Sequence, residues 1–370
     1  MDPTVTKISK DKDKLKFTIS NLDVCFANAL RRTILSDIDI NICYTLDYEK
    51  NQCNIEVNDT RFHNEIIKQR LGCIPIHHKE LTTLPGNYIL EIDAENDTDD
   101  LKYVTTEDFR IKNKVSGNYL TSNEVIKIYP PSKETGKYID FIRLRPKISE
   151  SIKGERLKLT CDYSVGNANL DSMYNVVSTC AYGNTIDPVK VNEEWEKVEQ
   201  SLLSSQEDLS KKELEFEKKN FYALDSQRYF IENSYDFVIE TVGIYENEEI
   251  VIKGCEALNN RFKKIIEKLD SDDIKVTTPD LAVPNSHQLS FVGEDYTIGN
   301  ILEHILYEKH YIEDKSITFV AFKKLHPHDE AGILKLAFVM EVDDNYVRQI
   351  VRSAIVEAME LFDKIHKLFK

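Results

Sequence analysis

The sequence predicts an α+β fold of two pseudo-equivalent domains joined through a four-helix contact, with a mostly β insert in the first. Three observations lead there. An alternating strand near the N-terminus runs straight into an amphipathic helix, and the same order returns near the C-terminus. Each half then closes on a long helix whose apolar stripe is too broad for one small sheet to cover. Within the first half lies a stretch rich in Thr, Asn, Asp, Tyr and Lys, broken by turn signals at Pro85-Gly86, Ser116-Gly117 and Thr135-Gly136.

Lys14 to Ser20 alternates polar and apolar residues and reads as a strand with Leu15, Phe17 and Ile19 on one face. In the helix that follows, Phe26 to Ser36, the residues Phe26, Leu30, Ile34 and Leu35 recur at helical spacing, and Arg31 and Arg32 sit side by side off that stripe. Two strand-like runs are expected between Ile38 and Val57, one through Tyr44, Leu46 and Tyr48 and one through Ile55 and Val57, joined by Glu49 to Gln52. A short helix from Arg61 to Leu71 is expected to stop at Gly72 in a left-handed cap, and Cys73 to His77 leads away extended. The insert, residues 79–233, is expected to hold strands at Tyr88–Ile92, Val125–Tyr129 and Leu157–Tyr163. Later in it Val191, Trp195, Val198 and Leu202 step at helical spacing, and the charged stretch from Glu207 to Lys219 reads as a polar helix or a solvated linker.

Apolar density returns at Ser234. Tyr235, Phe237, Ile239 and Thr241 alternate, Gly243 turns, and Ile250 to Leu269 form a helix with Leu258, Phe262, Ile265 or Ile266, and Leu269 on one face. The first domain is thus residues 1–78 with 234–270. Residues 271–286, with Pro279, Pro284 and no helical period, form a linker. The second domain, residues 287–370, repeats the first. Asn300 follows Leu289 by eleven residues as Asn28 follows Phe17, which aligns Asn28-Ala-Leu-Arg-Arg-Thr-Ile with Asn300-Ile-Leu-Glu-His-Ile-Leu. Strands from Ser316 to Phe322 and from Ile333 to Met340 flank a loop in which His326-Pro-His328 reads as a turn.

The last helix carries eight large apolar residues on one stripe, from Val347 to Leu368. Fully buried they contribute about 12 to 24 kcal/mol before the cost of ordering the chain. The simplest cover for such a stripe is the equivalent pair of helices in the other half, with Phe26, Leu30, Ile34, Leu302, Leu306, Ile355 and Phe362 forming the internal contact. An extended linker of about fourteen residues spans roughly 45 to 50 Å, enough to cross such a pair.

Composition bounds the function. With 41% hydrophobic and 30% charged residues the chain packs a core instead of staying disordered. A net charge of −16 argues against a direct grip on a phosphate backbone. The N-terminus has no apolar signal-peptide core and no stretch approaches a membrane span, so a soluble, intracellular protein is expected. The cysteines at 25, 43, 53, 73, 161, 180 and 255 include no CxxC pair, so no disulfide framework, closed zinc site, metal or other cofactor is expected. Cys43 and Cys53 at most face each other across a hairpin. His77 and His78 beside Cys73 lie on one extended strand and converge poorly on an ion. There is no phosphate loop, triad signature or paired-metal carboxylate motif, and Asp97–Asp100 and Asp270–Asp273 read as solvated turns, so no catalytic residue is expected.

The motifs Phe26-Ala-Asn-Ala-Leu-Arg-Arg-Thr-Ile-Leu-Ser, Asn64-Glu-Ile-Ile-Lys-Gln-Arg-Leu-Gly-Cys-Ile-Pro-Ile and Asp236-Phe-Val-Ile-Glu-Thr-Val-Gly make residues 1–270 resemble a family of RNA polymerase assembly proteins. It comprises the bacterial alpha N-terminal domain, the D polypeptide of archaeal polymerase and the third-largest polypeptide of eukaryotic polymerase II. Glu294-Asp-Tyr-Thr-Ile-Gly-Asn-Ile-Leu and Phe319-Val-Ala-Phe-Lys, through His326-Pro, make residues 287–370 similar to the archaeal L polypeptide and the eleventh polypeptide of polymerase II. The resemblance implies a D-like and an L-like dimerisation domain fused as an internal pseudo-heterodimer instead of a homo-oligomer. It implies a non-catalytic platform of a DNA-directed RNA polymerase that docks the two largest subunits and small assembly subunits. Contact with DNA and RNA is then made only through the complex, and no membrane is involved. Two departures stand out: Asn64 replaces the family's Asp, and no cysteine lies between 73 and 161, which puts the four-cysteine metal site of several relatives in doubt. Both partners in one chain is the arrangement of large nucleocytoplasmic DNA viruses, which implies viral transcription in the host cytoplasm and a place in the virion.

By the same resemblance Arg31 and Arg32 are partner contacts, since an arginine of this motif helps hold the beta subunit in the bacterial relative, and a guanidinium fork suits carboxylates and carbonyls. An intramolecular pair with Glu65 or Asp37 is the other reading. Glu65 and Arg70 complete the partner-binding set, Arg70 either fixing the turn at Gly72 or facing a partner. The alternative for the whole chain is a stand-alone protein-interaction or nucleic-acid-binding module.

Overall fold

A computed structural model describes residues 1–149, 151, 153–205, 210–278 and 283–370. The chain forms two compact units, one of residues 1–33, 179–240 and 251–370, the other of residues 34–178 and 241–250. Residues 34–78 therefore fold with 79–178, and residues 179–233 fold with the two chain ends. The described residues hold eight helices: α1 (Val24–Ser36), α2 (Asn64–Gly72), α3 (Ser122–Ile128), α4 (Pro188–Ser205), α5 (Lys211–Ala223), α6 (Asn247–Asp270), α7 (Tyr296–Leu306) and α8 (Asp344–Leu368). None of them is long and apolar enough to cross a membrane.

The first unit contains two four-stranded sheets. One runs Thr4–Asp11, Lys14–Ser20, Phe230–Thr241, Val177–Ile186 in spatial order; the other runs Val276–Thr277, Ser286–Val292, Ala331–Phe338, Ile317–Lys323. The order is equivalent. In each, the strand entering the short helix (α1 or α7) lies beside the strand leading into the long one (α6 or α8), and the strand preceding the latter in sequence flanks it. Alternation sets the registers: Phe17 lies opposite Phe237 with the rings stacked at 5.1 Å, and Leu289 lies opposite Leu334. Phe322 fills the space over α7 so closely that a Cβ on Gly299 or on Gly332 would come within 2.1 Å of its ring. In the α4–α5 hairpin Val191, Trp195 and Phe221 make a small apolar cluster of their own, and Ser210 and Glu213 form a capping box at the start of α5.

In the second unit, Arg156–Gly166 is the organising strand. It pairs with Tyr88–Glu95 on one side and, on the other, first with Cys53–Asn58 and then with Ile40–Cys43. Its alternate residues Leu157, Leu159 and Cys161 are fully buried with Leu90, Ile92 and Ile111. A two-stranded sheet of Lys102–Thr105 and Asp140–Leu144 completes the β structure.

Several expectations are corrected here. Tyr44 to Tyr48 is not a strand: the chain turns, Asn51 N–H donating to Asp47 O, and the strands on either side lie along Arg156–Gly166 instead of forming a hairpin with each other. Cys53 consequently faces Cys161, and Cys43 faces Tyr163. Val125–Tyr129 belongs to helix α3 and its C-cap, because Thr121 and Glu124 form a capping box that turns Val125 and Ile128 to one buried face. The helix expected from Arg61 begins at Asn64, and Gly72 lies inside it without a left-handed conformation; Cys73 is the C-cap at φ −76°. Glycine is needed at 72 for close approach, since a Cβ there would sit 2.9 Å from Thr45 Oγ1 and 3.0 Å from Met173. The charged stretch from Glu207 is helical from Lys211 onward, its start lying outside the described residues. The linker predicted for 271–286 contains the short strand Val276–Thr277, and its residues 279–282, Pro279 among them, lie outside the described residues.

Candidate protein interface

Helix α1 starts at an aspartate. Asp23 Oδ1 accepts the Cys25 N–H at 2.8 Å, satisfying a backbone donor that the first turn leaves open. Helix α7 starts the same way, Asp295 Oδ1 accepting the Thr297 N–H at 2.9 Å. Phe26, Leu30 and Ile34 of α1 and Leu302 and Leu306 of α7 are buried. The two helices run antiparallel and each sets a basic side chain beside the first turn of the other: Arg32 near the end of α1 pairs with Asp295, and His304 Nδ1 near the end of α7 lies 3.8 Å from Asp23 Oδ1. Nine residues separate aspartate from base in both cases. Each helix therefore caps its own N-terminus with a carboxylate and offers a base to the cap of the other.

Around Asp295 the charges are dense. Burial pushes its carboxyl up, but the Thr297 hydrogen bonds and the Arg32 and Arg261 guanidinium groups outweigh that and hold it below the usual aspartate range. Neighbouring Glu294 is more buried; desolvation raises its carboxyl above the ordinary value against the pull of Arg261, whose guanidinium lies 2.6 Å away.

Helices α6 and α8 pair antiparallel as well. At one end Arg352 meets Asp270 at 2.6 Å, and Arg348 Nη1 donates to the Leu269 and Ile274 carbonyls at 3.1 and 3.0 Å. At the other, Asn259 Nδ2 donates to Asp363 Oδ1 at 2.7 Å and His366 lies 3.4 Å from Glu256. Phe362 sits centrally, its ring 5.9 Å from that of Phe26 and 6.3 Å from that of Phe262. Phe362 and Ile355 are fully buried.

The residues expected to meet a partner are placed differently from one another. Arg31 is half-buried and donates from Nε and Nη2 to Asn28 Oδ1 at 3.1 and 2.9 Å, within its own helix. Arg32 pairs with Asp295, an acid the sequence reading did not single out. In the second unit Glu65 is exposed on the first turn of α2. Arg70 donates to the Phe141 and Asp140 carbonyls at 2.7 and 3.0 Å and lies over the Phe62 ring, so it ties α2 to the strand Asp140–Leu144. His326 is in a turn, its N–H donating to Asp329 Oδ2 at 2.8 Å.

The seven thiols are free. Cys43, Cys53, Cys161, Cys180 and Cys255 are buried, and only Cys73 is exposed. Contact among the thiols and burial push Cys53 and Cys161 well above the ordinary thiol value. Burial and the nearby Asp23 carboxylate do the same to Cys25. Asp23, Cys25 and His304 are the one group of three metal-ligand side chains found close together among the described residues. Of the residues that join α1 to α7, sequence reasoning missed Asp23, Asp295 and His304. The available signal was the repeated nine-residue spacing behind two helix-capping aspartates.

A model of the RNA polymerase Rpb3/Rpb11 dimerisation domain matches residues 16–262. The chain is similar to the DNA-directed RNA polymerase subunit Rpo3 of Methanosphaera stadtmanae, 26% identical over 290 residues, which covers 71% of this chain and 97% of that protein. It is 25% identical to Rpo3 of Pyrococcus furiosus over 277 residues, 71% of this chain and 95% of the relative. A stretch of 69 residues is 39% identical to Rpo3 of Thermococcus kodakarensis, 19% of this chain and 24% of that one. The family match ends before the strand Ser286–Val292, so the second strand and helix set lies outside it.

Proposed function

The chain belongs to the RNA polymerase Rpb3/Rpb11 dimerisation domain family, and from that premise we propose that it is a non-catalytic assembly subunit of a DNA-directed RNA polymerase carrying both halves of the dimer in one polypeptide. The observation that carries this reading is the reciprocal contact of α1 with α7, Asp23 to His304 and Arg32 to Asp295. When residue i meets j and the equivalent of j meets the equivalent of i, the interface has the form of a two-fold dimer. Here both copies of that form come from one chain. The equivalent strand order of the two sheets supports the same reading.

Assembly then requires outward surfaces. Residues 1–33, 179–240 and 251–270 serve as the D-like half, residues 34–178 hold its insert, and residues 287–370 serve as the L-like half. Arg31, Glu65 and Arg70 are the contacts offered to the two largest subunits and small assembly subunits, while Arg32 clamps the internal contact through Asp295. Fusion of both halves supports a source among large nucleocytoplasmic DNA viruses, with transcription in the host cytoplasm and packaging in the virion.

Introducing a protease site within residues 272–285 and cleaving it tests the internal dimer: the halves should co-elute on a sizing column, and separate elution would overturn the reading. Co-expression with the two largest subunits tests the platform. Arg31→Ala should reduce their capture while the melting temperature holds, and full capture by the variant would remove Arg31 from the contact.

A further inference from the structure

The contact between α1 and α7 is symmetric in position but asymmetric in chemistry. At one end the cap carboxylate is Asp295, the residue two places on is Thr297, and the base is Arg32. At the equivalent end the carboxylate is Asp23, the residue two places on is Cys25, and the base is His304. A permanent guanidinium charge has been exchanged for an imidazole, and a thiol has been added beside it. We propose that Asp23, Cys25 and His304 bind one divalent transition-metal ion of the zinc class, which supplies at this end the positive charge that Arg32 supplies at the other.

One ligand atom from each of the three lies within 4.8 Å of the other two, with His304 Nδ1 and Asp23 Oδ1 3.8 Å apart. A tetrahedral zinc ion with bonds of about 2.0 to 2.3 Å holds its ligands roughly 3.3 to 3.8 Å from one another, so closure asks for small side-chain adjustments only. The donors are one sulfur, one nitrogen and one oxygen. That set suits Zn²⁺ or Co²⁺ and disfavours Mg²⁺ and Ca²⁺, which seek shells of oxygen. Bound as carboxylate and thiolate, Asp23 and Cys25 neutralise a divalent ion, which offsets the opposing positive end of the α1 dipole.

The scaffold holds the donors in place. Asp23 and Cys25 are locked across the first turn of α1 by their 2.8 Å hydrogen bond, and the His304 ring packs edge-on against Phe26 at 5.9 Å. All three residues are half-buried and so reachable from solvent, and with three protein donors the fourth position of a tetrahedral ion falls to water. The site uses residues of two helices whose contact is described above, so it stands independently of any role in a polymerase.

The test is a cobalt titration of the reduced, chelator-stripped full chain under anaerobic conditions. We expect one equivalent of Co²⁺ to give the intense visible bands of a tetrahedral ion and a thiolate-to-cobalt charge-transfer band, both bleached by Zn²⁺. Cys25→Ser should abolish the charge-transfer band, His304→Gln should weaken binding by at least about tenfold, and Cys73→Ser, at the exposed thiol, should leave the spectrum unchanged. Circular dichroism shows whether each variant is folded, and the histidine variant carries the test if the cysteine variant is not. Absence of the charge-transfer band in the wild type, its loss in Cys73→Ser with persistence in Cys25→Ser, or full affinity in His304→Gln would each overturn the site.

Discussion

Truncating Phe362 to alanine should be the most damaging single change in α8. Its ring is fully buried between Phe26 of α1 and Phe262 of α6. Withdrawing a phenylalanine side chain from water contributes about 1.5 to 3 kcal/mol, and each aromatic contact adds about 0.5 to 1.5 kcal/mol beyond burial. Those contributions bracket the roughly 3 to 5 kcal/mol typical of buried Phe→Ala, a loss that includes the cavity left behind. Leu368, on the same helix but 43% exposed, is the control; Leu368→Ala should cost under about 1 kcal/mol. Urea unfolding followed by circular dichroism would read the loss as a shifted midpoint at unchanged slope. Because the chain has two compact units, hydrogen exchange must localise the effect: amides of α6 and α8 should lose protection while those of Arg156–Gly166 keep theirs. A loss below about 1 kcal/mol, or one equal to that of Leu368→Ala, would refute the packing argument.

Three further outcomes follow from the geometry. In a double-mutant cycle with alanine at both positions, Arg32 and Asp295 should couple by less than about 1 kcal/mol, because their side chains are 41% and 32% exposed, and the coupling should shrink in high salt. Gly299→Ala should destabilise by at least about 1 to 3 kcal/mol because its Cβ would meet the Phe322 ring, whereas Gly183→Ala, with open space at that position, should stay within about 0.5 kcal/mol; equal melting temperatures would contradict this. His77 carries a pH dependence. Burial lowers its proton affinity, Gly243 O at 3.0 Å opposes that and Lys133 adds to it, so the folded state keeps the ring neutral while the unfolded chain takes up a proton near about 6.5. The unfolded state then binds more protons in acid, so stability should fall as pH drops through about 6.5, and His77→Gln should flatten that slope; an unchanged slope would assign it elsewhere.

Elements with long, regular periodicity were legible from the sequence. The stripe of α8 and the alternation of Lys14–Ser20 and Phe230–Thr241 repeat one pattern often enough to outweigh local noise. Short segments were not. Val125–Tyr129 offers alternation and helical spacing at once, and the capping box upstream decided for helix. Gly72 looked like a terminator because glycine often is one, but its reason is Thr45 and Met173, brought beside it by tertiary structure. The pairing of Arg32 with Asp295, 263 residues away, belongs to the same class. The equal spacing behind Asp23 and Asp295 was open to an alignment of the two halves and was missed, and nothing local says that one helix's base belongs to the other helix's cap.

In the internal dimer proposed above, fusing the two halves changes what their contact must achieve. A tether of this kind holds its ends at an effective concentration of about 1 mM. Association at that concentration needs only a little over 4 kcal/mol, whereas separate chains at about 1 μM need a little over 8 kcal/mol. On that proposal the interface can rely on half-exposed pairs such as Arg32 with Asp295, and its two ends are free to differ in chemistry, as Arg32 and His304 do. Cleaving the chain within residues 272–285 removes that advantage. The cleaved protein should melt at a temperature that depends on concentration, losing about 1.4 kcal/mol of association for each tenfold dilution, while the intact chain should melt independently of it. If the cleaved form is as insensitive to dilution as the intact chain from about 100 μM to 1 μM, then the halves melt independently of their association, and the contact between them adds nothing to the stability of either.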